Sequence, residues 1–187
     1  MVTMFATLLS FANEGSFITI KNDAKTTSLT LSNVKKGNLL SITDVHGITL
    51  YKEIIKESGV YTKGFDLTLL PNGDYAFEID KDVEISTIPF SVISNKVIIN
   101  EELEKTIFKP IVKLKNDILY VSKLSMDESP LEVDIYFTES NDYSLIYSEK
   151  IENTQNIEKV FKLTGLKKGS YKIIFHSEGR EYTKFLN

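Results

Sequence analysis

The stretch Phe65-Asp-Leu-Thr-Leu-Leu-Pro-Asn-Gly-Asp-Tyr75 recurs as Phe161-Lys-Leu-Thr-Gly-Leu-Lys-Lys-Gly-Ser-Tyr171, without a gap and at an offset of 161 − 65 = 96 residues. The match continues upstream at the same offset, where Leu50-Tyr-Lys-Glu53 aligns with Ile146-Tyr-Ser-Glu149. A repeat of this length has the size of a small domain. The sequence therefore predicts that one small fold occurs twice in tandem.

Both copies contain the same turn, in which a leucine is followed three residues later by glycine and five residues later by tyrosine. The six residues are Leu70, Gly73, Tyr75, Leu166, Gly169 and Tyr171. Glycine can supply the positive φ that such a turn demands. A tyrosine that starts the next strand is typical of a tyrosine corner, where the hydroxyl bonds to nearby backbone and the ring packs inward. We interpret these residues as structural, with ligand contact by the tyrosines as the alternative.

Segments of alternating or β-branched character, separated by turn residues, predict seven strands in each copy. In the first copy these are Ser16–Ile20, Ser28–Ser32, Leu39–Thr43, Thr49–Ile55, Gly64–Thr68, Asp74–Ile79 and Glu84–Val92. In the second they are Pro110–Leu114, Ile118–Lys123, Leu131–Thr138, Ser144–Ile151, Lys159–Leu163, Ser170–Ser177 and Glu181–Leu186. The predicted fold is all-β, with two tandem seven-stranded sandwiches like those of immunoglobulin and fibronectin type III domains.

The expected organisation is an export signal at 1–12, a first sandwich at 13–94, a linker at 95–109 and a second sandwich at 110–187. Asp44-Val-His-Gly47 and Ser140-Asn-Asp142 predict hairpin turns at matching places in the two copies. Within the linker, Asn100-Glu-Glu-Leu-Glu-Lys105 favours one helical turn capped by Asn100. The apolar residues on either side leave open that this segment is held against a sandwich, and the orientation of the two sandwiches is undetermined.

The composition excludes several kinds of chemistry. The 187 residues include 22 Lys plus Arg and 26 Asp plus Glu, and this net charge of −4 is spread over both halves, which disfavours a nucleic-acid partner. Cysteine is absent, so there are no disulfides, thiolate nucleophiles or Cys-ligated zinc sites.

The first twelve residues are apolar, with Ser10 and Ala12 at the −3 and −1 positions of a signal-peptidase site. They predict export to the periplasm, cell surface or medium, and a buried first strand or helix is the alternative. The run lacks the usual basic residue before it, which leaves the start position open. No segment is long and apolar enough to predict a transmembrane helix.

Residues able to support catalysis or metal binding are few. His46 falls in a predicted turn and His176 near a strand end, in different copies, so no metal site or triad is predicted. Asp80, Asp82 and Glu84 alternate around Lys81, which favours a solvated hairpin over a calcium loop. We therefore predict no enzyme activity, no catalytic or metal site and no cofactor.

Aromatic residues are the alternative source of a binding surface. Five tyrosines can lie at the surface, where they would stack on sugars or anchor a protein partner: Tyr51, Tyr61, Tyr143, Tyr147 and Tyr182. The sequence does not tell which of them face the core. Lysines in the edge segment Tyr51-Lys-Glu-Ile-Ile-Lys56 would block strand addition, so a monomer is expected.

The segments Ile42-Thr-Asp-Val-His-Gly-Ile-Thr-Leu-Tyr51 and Phe65–Tyr75 resemble the C-terminal sorting domains of the type IX secretion system of Bacteroidota. The second copy shares this resemblance through Phe161–Tyr171 and Tyr182-Thr-Lys-Phe-Leu-Asn187. Related uncharacterised exported β domains of the same bacteria share the Leu-x-x-Gly-x-Tyr turn. The resemblance implies a seven-stranded sandwich and export from a bacterium of that group.

Two functions are expected on this basis. The first is a non-catalytic exported protein that binds or supports an unidentified protein or cell-envelope partner through its loops or an edge strand. The alternative is a secretion substrate whose second sandwich is the sorting signal.

Overall fold

The computed structural model describes residues 18–22, 26–140, 142–164, 166 and 168–187, and its regular structure is almost entirely β-strand. The predicted all-β class is confirmed. The proposed export signal at 1–12 lies outside the described residues, as does the start of the first predicted strand.

The first nine strands form what we call the first unit: β1 Ile18–Asn22, β2 Thr27–Val34, β3 Leu39–Asp44, β4 Thr49–Ile54, β5 Gly59–Phe65, β6 Gly73–Asp80, β7 Glu84–Ile93, β8 Lys96–Ile99 and β9 Lys105–Phe108. They make two antiparallel sheets. One has the order β1-β2-β5, and the other has the order β4-β3-β6-β7-β8 with β9 also paired to β7.

The remaining strands form the second unit: β10 Ile111–Lys115, β11 Ile118–Leu124, β12 Leu131–Thr138, β13 Ser144–Ile151, β14 Asn156–Lys162, β15 Ser170–Ser177 and β16 Arg180–Leu186. Their sheets have the orders β10-β11-β14 and β13-β12-β15-β16. Both units therefore place their first, second and fifth strands in one sheet and their fourth, third, sixth and seventh strands in the other. This arrangement is an immunoglobulin-like sandwich.

Period-two alternation builds a separate hydrophobic core in each unit. On β6 the buried apolar residues are Tyr75, Phe77 and Ile79, and on β15 they are Tyr171, Ile173 and Phe175. The first set belongs to one core cluster and the second set to another. Each fully buried side chain of this size stabilises the folded state by about 1.5 to 3 kcal/mol.

The fifth strand differs from its prediction. Gly64–Thr68 was expected to be extended, whereas β5 ends at Phe65 and Leu67–Leu69 form a 3-10 turn. The Asp66 carboxylate accepts hydrogen bonds from the backbone N–H and the hydroxyl of Thr68 and starts this turn. The alternating apolar residues of 65–70 look like a strand, but the aspartate stabilises the turn instead.

The segment 95–109, predicted as a linker, forms β8, a 3-10 turn at Glu101–Leu103 and β9. The helical turn is present, although the Asn100 side chain does not cap it. Val97 and Ile99 pack against the first core, and both strands pair with β7. The segment therefore extends a sheet of the first unit, and the chain returns along β7 before the second unit begins.

Each unit has two ends, defined by its connections. We call inner the end with the β2–β3, β4–β5 and β6–β7 connections and, in the second unit, the β11–β12, β13–β14 and β15–β16 connections. We call outer the end with the β3–β4 and β5–β6 connections and the corresponding β12–β13 and β14–β15 connections. Because β8 and β9 carry the chain back along β7, it passes from the inner end of the first unit to the inner end of the second.

Candidate binding surfaces

The turn of the first repeat is held by its tyrosine. The Tyr75 hydroxyl donates a hydrogen bond to the carbonyl oxygen of Pro71 at 2.8 Å, and the side chain is 9% exposed. Its ring stacks on Phe90, with the centroids 5.4 Å apart. Leu70 packs against the same core. Through these contacts Tyr75 holds the β5–β6 connection in place.

The second turn has the same members in a different environment. Tyr171 is 4% exposed and Leu166 packs against the second core. The expected positive φ is wrong for both turn glycines, since neither Gly73 nor Gly169 adopts it. At Gly169 the reason for glycine is steric, because an added Cβ would lie 1.9 Å from the Thr138 carbonyl oxygen.

A cluster of tyrosine, glutamate and lysine joins the two sheets of the first unit at their edge strands, β4 and β5. The Tyr51 hydroxyl donates to the Glu53 carboxylate, and the Lys63 ammonium lies 3.0 Å from the same oxygen. Tyr51, Lys63 and Tyr61, in order of effect, lower the pKa of Glu53 to about 2. Burial, followed by the interaction with Glu53, raises the pKa of Tyr61.

The second unit repeats this cluster at the offset of 96. Tyr147 donates to Glu149 at 3.0 Å, and Lys159 contacts the other carboxylate oxygen. An edge-to-face contact accompanies each tyrosine, Tyr51 with Phe65 and Tyr147 with Phe161. Because the cluster bridges corresponding edges of both sandwiches, its role is to close the edge.

Each of the acids considered for calcium binding contacts a lysine. Asp82 pairs with Lys35 at 2.9 Å, Glu84 with Lys81 at 2.8 Å, and Asp80 with Lys109. Lys109 also donates to the backbone carbonyl of Lys81 at 2.6 Å. Across the part of the chain that the structure describes, no three His, Cys, Asp or Glu residues are grouped as metal ligands.

The histidines lie apart in the chain, as the sequence indicated. The His46 backbone N–H donates to the Asp44 carboxylate in the β3–β4 turn. On β15, His176 Nε2 is 3.8 Å from Asp134 Oδ2, while the other oxygen of Asp134 accepts a hydrogen bond from Ser148.

Charged side chains join the two units near their inner ends. Arg180 of β16 binds Glu78 of β6 through two nitrogens. Glu178, in the β15–β16 turn, lies 3.2 Å from Lys123 of its own unit and 3.0 Å from Lys105 of the first unit. The Lys123 and Glu178 side chains are both largely buried. The pairs Lys105–Glu178 and Arg180–Glu78 hold the β15–β16 hairpin against the first unit.

An aromatic row crosses the outward face of the larger sheet of the second unit. Cross-strand pairing places Leu145, Tyr136, Lys172 and Phe185 side by side on β13, β12, β15 and β16. The Lys172 ammonium lies 4.7 Å from the Tyr136 ring centroid and 5.2 Å from that of Tyr143. We call these five residues the aromatic row.

The matching row of the first unit has no aromatic residue. Its cross-strand positions are Thr49, Thr43, Ala76 and Pro89. The aromatic row is therefore specific to the second unit. Tyr143 was among the predicted surface tyrosines, but Tyr136, Lys172 and Phe185 were missed. Tyr136 and Lys172 alternate with inward-facing Ile135 and Ile173, and this alternation in the sequence could have identified them as outward-facing.

The outer end of the first unit exposes apolar side chains from two connections. Val45 and Ile48 of the β3–β4 turn are 66% and 58% exposed, and Leu69 of the β5–β6 connection is 80% exposed. Exposed apolar side chains are candidates for an interaction surface, and the inner end also carries two of them, Ile54 and Val60, at 60% and 73% exposure.

Of the other predicted surface tyrosines, Tyr147 is exposed, while Tyr51, Tyr61 and Tyr182 are partly buried. Burial raises the pKa of the Tyr182 hydroxyl, and the positive charge of Arg180 opposes this shift. No helix among the described residues has the length and apolar character needed to cross a membrane.

No family model and no curated protein matches the chain. Solved structures do show similarity. A biofilm-associated protein BSP domain is 12% identical, covering 86% of this chain and 26% of that one, with a TM-score of 0.27. The FN1–FN3 domains of chicken CNTN1 are 9% identical, covering 90% and 66%, with a TM-score of 0.27.

The MG0-NIE-MG1 domains of native alpha-2-macroglobulin from Escherichia coli are 14% identical, covering 91% of this chain and 69% of that one, with a TM-score of 0.25. The chain thus spans about a quarter of the first of these structures and about two thirds of the other two. Because all three TM-scores are below 0.5, the assignment of an immunoglobulin-like fold rests on the strand order described above.

Proposed function

We propose that this chain is a non-catalytic exported protein that binds or supports a protein or cell-envelope partner through the outer ends of its two immunoglobulin-like units. One observation carries the proposal. The outer end of the first unit exposes Val45, Ile48 and Leu69, and the aromatic row lies towards the outer end of the second. Surfaces rich in Tyr, Phe and Leu are typical of binding sites.

The polar groups that could support chemistry make contacts within the fold instead. Glu53 and Glu149 are each held by a tyrosine and a lysine, and Glu178 lies between two lysines. A general acid or base must reach its substrate, and these carboxylates contact other side chains of the protein. This arrangement supports a role in binding or in architecture.

Photo-cross-linking in the native host tests the binding role. A photo-reactive amino acid at Val45 or Phe185 is expected to give discrete cross-linked products. The same group at the exposed Lys113, on β10, is the matched control. Equal products at all three positions would contradict a role for the outer ends.

Export is tested by the intact mass of the protein from each cell fraction. Loss of the first twelve residues together with an intact Asn187, in envelope or periplasmic material, is the expected result. Full-length protein confined to the cytoplasm would refute export.

A secretion substrate with a sorting signal is the second candidate. It is supported by the resemblance of the repeated turn and of the segment Tyr182-Thr-Lys-Phe-Leu-Asn187 to the sorting domains. Loss of the second unit from protein recovered at the surface or in the medium would favour this candidate over the first.

A further inference from the structure

The two copies of the repeated turn carry opposite charge. The segment Phe65–Tyr75 contains Asp66 and Asp74 and no basic residue, whereas Phe161–Tyr171 contains Lys162, Lys167 and Lys168 and no acidic residue. Lys167 lies outside the described residues. Asp66, Asp74, Lys162 and Lys168 are exposed, so their charges lie at the surface. Neither the repeat nor the tyrosine corner accounts for this inversion.

The charge difference continues into the strand that follows each turn. Ala76 of β6 corresponds to Lys172 of β15, which lies in the aromatic row. Both turns connect the fifth strand to the sixth and therefore lie at the outer ends. The first outer end is thus acidic at this corner, and the second is basic.

Other charges near the outer ends do not create this difference. In the β10–β11 hairpin the charges of Lys115 and Asp117 have opposite signs. The charge of Lys96, at the first outer end, is opposite to that of the acidic corner. The charges of Glu139 and Asp142, at the second outer end, are opposite to that of the basic corner. The complementarity is therefore local to the repeated turn and the strand that follows it.

Apolar surface accompanies the charge at both ends. Val45, Ile48 and Leu69 are exposed beside the acidic corner, while Phe185 and Leu145 are exposed beside Lys172. Specific interfaces combine a desolvated apolar or aromatic centre with a charged rim that sets orientation. The two outer ends are complementary in this sense.

The junction between the units leaves both outer ends accessible. The ion pairs that join the units involve Glu78, Lys105, Asp127, Glu178 and Arg180, which lie at or near the inner ends. An occupant of one outer end therefore does not displace the second unit of the same chain.

We propose that the acidic outer end of the first unit binds the basic outer end of the second unit of another copy of this chain. The contact is heterologous, since two different surfaces meet. The resulting dimer still has one free acidic end and one free basic end, so association extends head to tail rather than stopping at a dimer.

Strand addition at β16 is not the route. The Tyr171–Leu186 pairing of the second unit matches the Tyr75–Phe90 pairing of the first, which puts Lys184 at the position of Ile88. Ile88 is buried and Lys184 is exposed. A lysine at such a position protects the β16 edge from pairing, so this edge is not the contact surface.

Sedimentation velocity of the whole chain at low ionic strength tests self-association. The mean mass is expected to rise with concentration beyond that of a dimer and to fall as salt is added, because exposed charges are screened. A single monomeric species from micromolar to millimolar concentration at low salt would overturn the proposal.

Charge reversal tests the direction of the contact. The variant Asp66→Lys/Asp74→Lys has two basic ends, and Lys168→Glu/Lys172→Glu has two acidic ends. Each alone is expected to remain monomeric, and an equimolar mixture is expected to associate again, because every contact then joins opposite charges. Reversal of exposed residues away from the outer ends, Glu57→Lys and Lys113→Glu, is the matched control and should change nothing.

Other outcomes overturn the proposal. Association that survives both reversals excludes a contact at the outer ends. Association abolished by only one reversal indicates an isologous dimer through that end. Leu69→Ser and Phe185→Ser, at exposed positions, are expected to weaken association without a change of net charge, and they provide a second test should a reversal variant fail to fold. The test does not depend on export or on any other partner.

Discussion

The hydroxyl of Tyr75 binds the backbone carbonyl of Pro71, four residues earlier, at 2.8 Å. This bond closes the β5–β6 connection over a ring that is itself packed on Phe90. Because the same turn carries the exposed Leu69 and the acidic corner, the tyrosine positions the outer end of the first unit. The repeated turn thus links folding to the proposed binding surface.

Removal of that hydroxyl is expected to destabilise the first unit. Tyr75→Phe keeps the ring and leaves the Pro71 carbonyl without its donor, a change expected to cost about 1 to 3 kcal/mol of the free energy of unfolding. Chemical denaturation measures the difference. Tyr120→Phe, at an exposed tyrosine, is the control, and equal stability of both variants would exclude a structural role for the Tyr75 hydroxyl. Tyr171→Phe is expected to act in the same direction in the second unit.

The two turn glycines are expected to differ in their tolerance of alanine. At Gly169 a Cβ would meet the Thr138 carbonyl oxygen at 1.9 Å, whereas at Gly73 the nearest atom, the Tyr75 hydroxyl oxygen, is at 3.5 Å. Gly169→Ala should therefore cost about 1 to 3 kcal/mol through overpacking, and Gly73→Ala should be close to neutral. Thermal unfolding of the two variants decides this, and similar losses would show that the close approach at Gly169 relaxes.

Most strands could be predicted because the buried residues alternate with exposed ones along the chain. On β12, for example, Leu131, Val133 and Ile135 are buried in turn, and the prediction of Leu131–Thr138 matches the strand. β5 was displaced because residues 66–70 keep the alternation while Asp66 caps a turn. Local pattern defines a strand well, and a side-chain cap can override it.

The segment 95–109 shows a different limit. Lys96-Val-Ile-Ile99 and Lys105-Thr-Ile-Phe108 are each of strand length, but the acidic stretch between them favours a helical turn. Only the pairing of both strands with β7 identifies them as parts of a sheet. Because β8 and β9 carry the chain back along β7, they bring Arg180 of the second unit near Glu78 of the first. No local sequence pattern indicates such a contact between distant residues.

Acid is expected to weaken the edge cluster of the first unit. Tyr51, Lys63 and Tyr61 lower the pKa of Glu53 to about 2, from an ordinary value of 4.5. A lowered pKa means that the folded state favours the carboxylate, so the stabilisation is complete above pH 4.5 and is lost as the pH falls towards 2.

The effect appears in the pH dependence of the free energy of unfolding between pH 4.5 and 2. Glu53→Gln should flatten this dependence, because glutamine does not titrate, and should lower stability near neutral pH. Glu57→Gln, at an exposed residue of the β4–β5 turn, is the control and should leave the curve unchanged. An unaltered slope for Glu53→Gln would mean that other carboxylates account for the acid sensitivity.

The ion pair between Arg180 and Glu78 is expected to fix the angle between the units. Arg180→Gln removes the charge of a bidentate contact that joins β16 to β6, and Arg is well suited to such contacts. The ion pairs of Lys105 with Glu178 and Asp127 then remain between the units. Because the chain has no cysteine, spin labels can be placed at Val45→Cys and Glu139→Cys, at opposite outer ends. Double electron–electron resonance should show a wider distance distribution for Arg180→Gln than for the wild-type residue. Lys184→Gln, on the same strand, should leave the distribution narrow, and equal widths in all three proteins would show that the pair does not set the orientation.

If the angle does depend on this pair, Arg180→Gln should also disturb a head-to-tail assembly, since each molecule would then present its two outer ends in varying directions.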